Sequence, residues 1–120
     1  MKKSLRGWTN ERRTMDYLIA RSWVTVRTHA SAGMLENDVL AYNVNDGRIK
    51  HIQSKSNHHY TKNDIEALVM VKAMVKAPNV SVELWDWLDN NQYPVITIFH
   101  ADGSLEKYSL DPMLTPGGLK

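Results

Sequence analysis

Trp8, Met15, Leu18 and Ile19 recur at the spacing of one helix face, and beyond Arg21 the pattern changes to alternation. This predicts a first helix over about residues 10–21, with Thr9 or Asn10 as its N-cap. Glu11 falls on the same stripe, three residues after Trp8 and four before Met15. A carboxylate turned inward needs a partner. Residues 23–29 alternate and are rich in β-branched side chains, which predicts a strand, and Ala30-Ser31-Ala32-Gly33 breaks it. Residues 38–44 predict a second strand and residues 49–55 a third, paired antiparallel around a tight Asn45-Asp46-Gly47 turn with Gly47 left-handed.

A second helix is expected over about residues 62–76. Thr61 and Asp64 form its capping box, and Pro78 lies beyond its end. A fourth strand over residues 80–85 follows this helical crossover, an arrangement that allows it to run parallel to the third. Residues 93–100 and 105–110 predict a last hairpin around Asp102-Gly103. The order α-β-β-β-α-β-β-β describes an α/β domain, a mixed sheet with helices packed on it. One domain is expected over residues 1–111, and residues 112–120, with Pro116-Gly117-Gly118, read as a flexible tail.

Composition narrows the chemistry. With no cysteine there is no disulfide, thiolate nucleophile or Cys-based zinc site, and a reducing, cytoplasmic setting is expected. No apolar run approaches the ~20 residues that span a bilayer, so no membrane partner is expected. The net charge of +2 is small, but its distribution is uneven. Lys2, Lys3, Arg6, Arg12 and Arg13 crowd the start, Arg21 and Arg27 follow, and Glu83, Asp86, Asp89, Asp102, Glu106 and Asp111 come late. A basic front half suits a phosphate-binding surface, and it equally describes a solvated arm.

Alternation also places chemistry. Ile49, His51, Gln53 and Lys55 share one face of the third strand, and Asp38, Leu40, Tyr42 and Val44 share one face of the second. Asp38 and the Gln53-Lys55 end both lie far from the connecting turn, so the hairpin brings them together, and an inward carboxylate from the first helix is expected to meet them. Carboxylate oxygens hold Mg²⁺, a bound metal activates water, and a lysine stabilises developing negative charge, which is what phosphodiester hydrolysis needs. Each residue also has a plain reading. Glu11 suits a first helical turn, Asp38 a turn cap, and Gln53 and Lys55 an exposed strand face.

The run Glu11 … Trp23-Val24-Thr25-Val26-Arg27-Thr28 … Ser31-Ala32-Gly33 … Asp38-Val39-Leu40-Ala41 … Ile52-Gln53-Ser54-Lys55-Ser56 resembles the archaeal-type Holliday junction resolvases of the PD-(D/E)xK nuclease superfamily. The resemblance covers roughly residues 6 to 100, and Arg21-Ser22 stands where the family tends to carry glycine. It implies a restriction-endonuclease-like fold and a structure-selective endonuclease that makes paired nicks in branched DNA at four-way junctions. It implies Mg²⁺ (with Mn²⁺ able to substitute) and a homodimer. By position, Glu11 matches the helical metal-binding carboxylate, Asp38 the central metal-binding aspartate, Lys55 the catalytic lysine and Ser31 a serine in the loop beside the site. The backbone carbonyl of Ser54 is a further implied metal ligand. Asn37 replaces the usual proline, and Gln53 replaces the usual glutamate as ligand, leaving an oxygen without a charge. Glu36 is a nearby carboxylate that would restore it.

Lys2, Lys3, Arg6, Arg12, Arg13, Arg27, His58 and His59 are the expected DNA contacts, with a solvated loop the alternative for the two histidines. Trp85 and Trp87 read as core or subunit packing before base stacking. The second helix, with Trp85, Trp87, Ile96 and Ile98, is expected to supply an apolar dimer surface. The alternatives are another nuclease of the superfamily, of restriction or nicking type, a DNA-binding module whose metal site no longer works, and an α/β scaffold with no nucleic-acid role.

Overall fold

Two three-stranded meanders, joined by one helix, make the framework. The computed structural model describes residues 2–27, 38–89 and 91–111, and the side chains of residues 2–8 and 38 lie outside that description. The elements are α1 (Lys2–Ile19), β1 (Trp23–Arg27), β2 (Asp38–Asn43), β3 (Ile49–Ser56), α2 (Lys62–Met74), β4 (Val80–Trp87), β5 (Val95–Phe99) and β6 (Leu105–Ser109). The sheet order is β1-β2-β3-β4-β5-β6. Every pairing is antiparallel except the central one, β3 with β4, which is parallel and runs in register from Ile49↔Val80 to Ser56↔Trp87. Among the described residues no helix is long and apolar enough to cross a membrane.

The parallel pair needs a crossover, and α2 supplies it. Its start is the expected capping box: Thr61 Oγ1 accepts from the Asp64 N–H at 3.2 Å, and Asp64 Oδ2 accepts from the Thr61 N–H at 2.8 Å. The helix ends at Met74, two residues short of expectation. Pro78 accounts for the difference, because its ring conflicts with a helical carbonyl at Met74 and disfavours helical backbone at Ala77. Gly47 adopts the left-handed conformation its turn requires, with φ +76°.

α1 departs further from expectation. It begins at Lys2 rather than near Asn10, because Lys, Leu and Arg favour helix and a single glycine is tolerated. Thr9 and Asn10 are therefore interior positions. Its buried side is Asn10, Glu11, Thr14 and Leu18, with Met15 partly buried and Ile19 exposed. The chain leaves α1 through a tightened turn, in which Arg21 N–H donates to Leu18 O and Ser22 N–H to Ile19 O. Ser22 takes up φ +71° to do so.

Each helix covers a different face of the sheet. Leu18 of α1 packs with Trp23, Val39, Ala41, Ile52, Trp85, Trp87 and Ile96 on one face. Leu68 and Val71 of α2 pack with Val82, Leu84 and Phe99 on the other. Trp85, Trp87 and Ile96 are thus core, and Ile98 packs partly buried against them, so these residues do not form the exposed dimer surface expected of them. Glu83 is buried in this layer and fully engaged. It accepts from Lys50 Nζ at 2.6 Å, Ser81 Oγ at 2.7 Å and Trp85 Nε1 at 2.7 Å. Burial first, then Glu83, push the nearby Tyr108 phenol up to about 12.

α2 covers only part of its face. Val24 pairs with Tyr42, Val26 with Leu40, and Tyr42 with Ile49, and all five of these apolar side chains are exposed. The bare apolar surface therefore lies on β1, β2 and the start of β3.

A serine in the left-handed region pays a steric penalty that glycine does not. Ser22→Gly is expected to stabilise the protein by roughly 1 kcal/mol, read as a raised midpoint in thermal unfolding followed by circular dichroism. An unchanged or lowered midpoint would contradict the conformational reading.

Candidate active site

β1 ends, β2 begins, and β3 and β4 both end at one edge of the sheet, so Arg27, Asp38, Gln53, Lys55 and Asp86 gather there. Clefts outside the C-terminal ends of parallel strands are common ligand sites in α/β sheets. The register puts Asp38 directly opposite Gln53, and Lys55 opposite Asp86. The expected pairing of Asp38 with the Gln53-Lys55 end is therefore present in the ladder. The side chain of Asp38, together with Ser31, Glu36 and Asn37, lies outside the described residues.

Glu11 is buried, 2% exposed, and forms an ion pair with Arg27. That pair belongs to the α1 side, since Arg27 pairs with Val39, a member of the α1-side core. Gln53 belongs to the other side, where its neighbour Leu84 packs against α2. Glu11 and Gln53 thus reach the same end of the sheet on opposite faces, and the single cluster expected from the sequence is split between two layers. Among the described residues no group of three or more His, Asp or Glu side chains is placed to hold a metal ion.

Ser54 faces α1 and anchors β3 between Gln53 and Lys55. Thr14, fully buried, lies 2.8 Å from Ser54 Oγ, 3.0 Å from the Asn10 carbonyl and 2.8 Å from Trp87 Nε1. The indole N–H can only donate and the carbonyl can only accept, so Thr14 receives from Trp87 and gives its one proton to Asn10. Ser54 is then the donor to Thr14. This hydroxyl pair ties α1, β3 and β4 together beside the candidate site.

On the α2 side, Lys55 Nζ lies 3.6 Å from Asp64 Oδ2, the same oxygen that caps α2. Asp86, 2% exposed, accepts from the His58 backbone N–H at 3.1 and 3.2 Å and lies 2.8 Å from His58 Nδ1. Gln53 is 5% exposed, and its Oε1 has no hydrogen-bond partner among the described residues. It is an acceptor held ready in a buried place, where an unsatisfied polar atom costs about 1–3 kcal/mol.

The expected DNA contacts fare differently. Arg13 stacks 4.3 Å from the Trp87 ring centroid and donates to the Asn91 carbonyl at 2.9 Å, so it serves the fold. Arg27 holds Glu11. Arg12 is exposed beside Asp16 at 3.4 Å, and His59 is exposed. The side chains of Lys2, Lys3 and Arg6 lie outside the described residues.

Two participants were not singled out from the sequence. Thr14 follows Glu11 by three and precedes Leu18 by four, on the same helical face. Asp86 stands between two tryptophans near the end of a buried strand, and a charge placed there demands a partner.

A scan of the sequence against protein-family models finds no match, and a search of curated proteins finds none. A search of solved structures finds the 1.6 Å structure of Archaeoglobus fulgidus Hjc, a Holliday junction resolvase from an archaeal hyperthermophile, at a TM-score of 0.56 and 14% identity over 95% of each chain. The chain has the fold of that resolvase. A mixed six-stranded sheet between two helices is thus the α/β architecture expected from the sequence. At this identity the likeness is one of fold.

Thr14→Val would strand the Trp87 N–H and the Ser54 hydroxyl. A loss of about 2–3 kcal/mol is expected, measured by urea unfolding, whereas Thr14→Ser should retain most of the stability. Equal effects of the two substitutions would show that the methyl group, not the hydroxyl, matters.

Proposed function

We propose that this protein is a structure-selective endodeoxyribonuclease that resolves four-way DNA junctions by Mg²⁺-dependent hydrolysis, giving paired nicks. The observation that carries this reading is the buried, unpartnered Oε1 of Gln53. It lies in register with Asp38, with Lys55 two residues on, at the C-terminal ends of the parallel strands. The fold shared with Hjc supports it. The donor set fits a hard cation, since carboxylate, amide and carbonyl oxygens are its preferred ligands. Asp38, Gln53 and the Ser54 carbonyl would hold Mg²⁺ or Mn²⁺, while Glu11 lies on the other face of the sheet, paired with Arg27. A metal held there would supply Lewis acidity and a water of lowered pKa.

The chain's own residues do the rest. Lys55 is partly exposed and its ion pair with Asp64 is long, so a phosphate oxygen can replace that partner. From there its ammonium stabilises charge that develops on the phosphate. Gln53 contributes an oxygen without a charge, so metal affinity is weak until DNA phosphate adds its own oxygens. The ion pairs Glu11–Arg27 and Lys55–Asp64 favour a second reading, a DNA-binding module with an inactive site.

Cleavage of a labelled four-way junction beside matched duplex, with Mg²⁺ and with EDTA, separates these readings. Asp38→Asn is expected to abolish cleavage while junction binding survives. Gln53→Glu should lower the metal concentration for half-maximal cleavage and Gln53→Ala should raise it. If Gln53→Ala matches the native protein, Gln53 is no ligand. If only Gln53→Glu cuts, the binding-module reading is correct.

A four-way junction is two-fold symmetric, and a homodimer matches it. The bare face of Val24, Val26, Leu40, Tyr42 and Ile49, beside the edge strand β1, is the surface we assign to the second copy. The native protein is expected to sediment as a dimer at micromolar concentration, and Leu40→Glu as a monomer with an unchanged thermal midpoint. A native monomer would rule the dimer out.

A further inference from the structure

We propose that His58 is a second phosphate-binding side chain of the candidate active site and that Asp86 is its positioning residue. The inference rests on the nuclease reading above and extends the site beyond Lys55. Asp86 is almost wholly buried, whereas the His58 side chain is 65% exposed. A buried carboxylate thus carries a surface imidazole. The link is double, since the same carboxylate binds both the backbone N–H and Nδ1 of His58.

The local backbone is bent to make this contact. Asn57 and His58 lie consecutively in the left-handed region, at φ +50° and +60°. The left-handed region is sterically unfavourable for His58, and such strain persists where the surroundings enforce it. Asn57 N–H donates to Trp87 O at 3.0 Å, and Asn57 Oδ1 accepts from Asp89 N–H at 2.8 Å. The ring edge of His58 meets Tyr60, with centroids 6.4 Å apart. The loop is therefore locked to β4, and the imidazole has little freedom to turn.

With Asp86 accepting at Nδ1, Nε2 is the nitrogen left for a ligand, and it donates to a phosphate only when the ring carries a proton on both nitrogens. Among the described residues Nε2 has no hydrogen-bond partner. Lys55 stands opposite Asp86 in the ladder, so the lysine and the imidazole flank one carboxylate at the strand ends. A phosphodiester lying across this edge would meet Lys55 on one phosphate and Nε2–H on the next. The ring would then lie between two anions with both its N–H groups bonded. Asp64 is already engaged by Thr61 and Lys55, and Asp89 meets the loop through its backbone N–H.

Two measurements test this. In the first, imidazole ¹⁵N spectra are recorded while a thymidine dinucleoside monophosphate is added without metal. A saturable shift of the His58 Nε2 signal is expected, weakened several-fold in Asp86→Asn. In the second, junction affinity is measured in EDTA against salt. His58→Gln should raise Kd roughly tenfold and reduce the salt slope by about one, with the thermal midpoint unchanged. A native slope and affinity in His58→Gln would overturn the proposal. So would Asp86→Asn if it lowered the thermal midpoint and left the His58 shift intact. A protein that shifts His58 with the dinucleotide but cuts no junction would refute the nuclease reading and keep this one. Junction cleavage by His58→Gln with native affinity and a native salt slope would do the reverse.

Discussion

The parallel pairing of β3 with β4 is the constraint from which the rest of the architecture follows. A parallel pair cannot be closed by a hairpin, so a helix must cross from the end of β3 to the start of β4. That helix, α2, covers one face, and the other face, which carries Ile52, Trp85 and Trp87, needs a second cover. α1 provides it. Because β3 and β4 run in the same direction, their last residues emerge at the same edge. Gln53, Lys55, Asp86 and the loop that carries His58 meet there as a result of strand direction, before any specific contact is considered.

The polar groups within this frame divide sharply. Thr14, Ser54, Trp87, Glu83, Lys50 and Asp86 all have bonded partners, and their bonds include ones that join α1 to β3 and β4, β3 to β4, and a loop to β4. Burying so many polar groups is stabilising only when the network is complete, because each missing bond is expensive in a low-dielectric interior. Against that background Gln53 Oε1 stands out, since among the described buried side-chain atoms it is the one with an unmet acceptor. Structural demand explains the other bonds and does not explain this one, which is why the functional reading centres on it.

Much of this was legible in the residues themselves. Period-two alternation and the turns at Gly47 and Gly103 located the strands within a few residues, and the Thr61–Asp64 cap and Pro78 bounded α2 from both ends. These are local signals, and local physics suffices to read them. The start of α1 was not legible, because Thr9 and Asn10 look like caps until one sees that tertiary packing buries Asn10 inside a longer helix. Nor was the face that each site residue occupies. Alternation says which residues of one strand share a side, and says nothing of which helix covers that side, so Glu11 and Gln53 were expected in one layer and lie in two. The partners of Arg13 and Arg27 come from distant positions, Trp87, Asn91 and Glu11, and a count of basic residues cannot reveal that two of them are committed to the fold. Trp85 and Trp87 face α1 because β4 sits at the sheet centre, a fact of topology rather than of pattern.

The two meanders have a consequence for how the chain assembles. Strands β1 to β3 pair through neighbours in sequence, and so do β4 to β6, so each half can zip up locally, while the seam must wait for a loop closure through residues 57–79. Until it closes, each half presents a naked edge, β3 in one and β4 in the other, of matching length and shape. Nothing in the seam itself distinguishes its own partner from that of a neighbouring chain. Concentrated chains that are refolding together can therefore exchange halves, with α2 as the strap between them. The yield of correctly closed monomer units should fall as refolding is carried out at rising chain concentration, and the product that accumulates in its place would be an interlocked pair that is folded throughout.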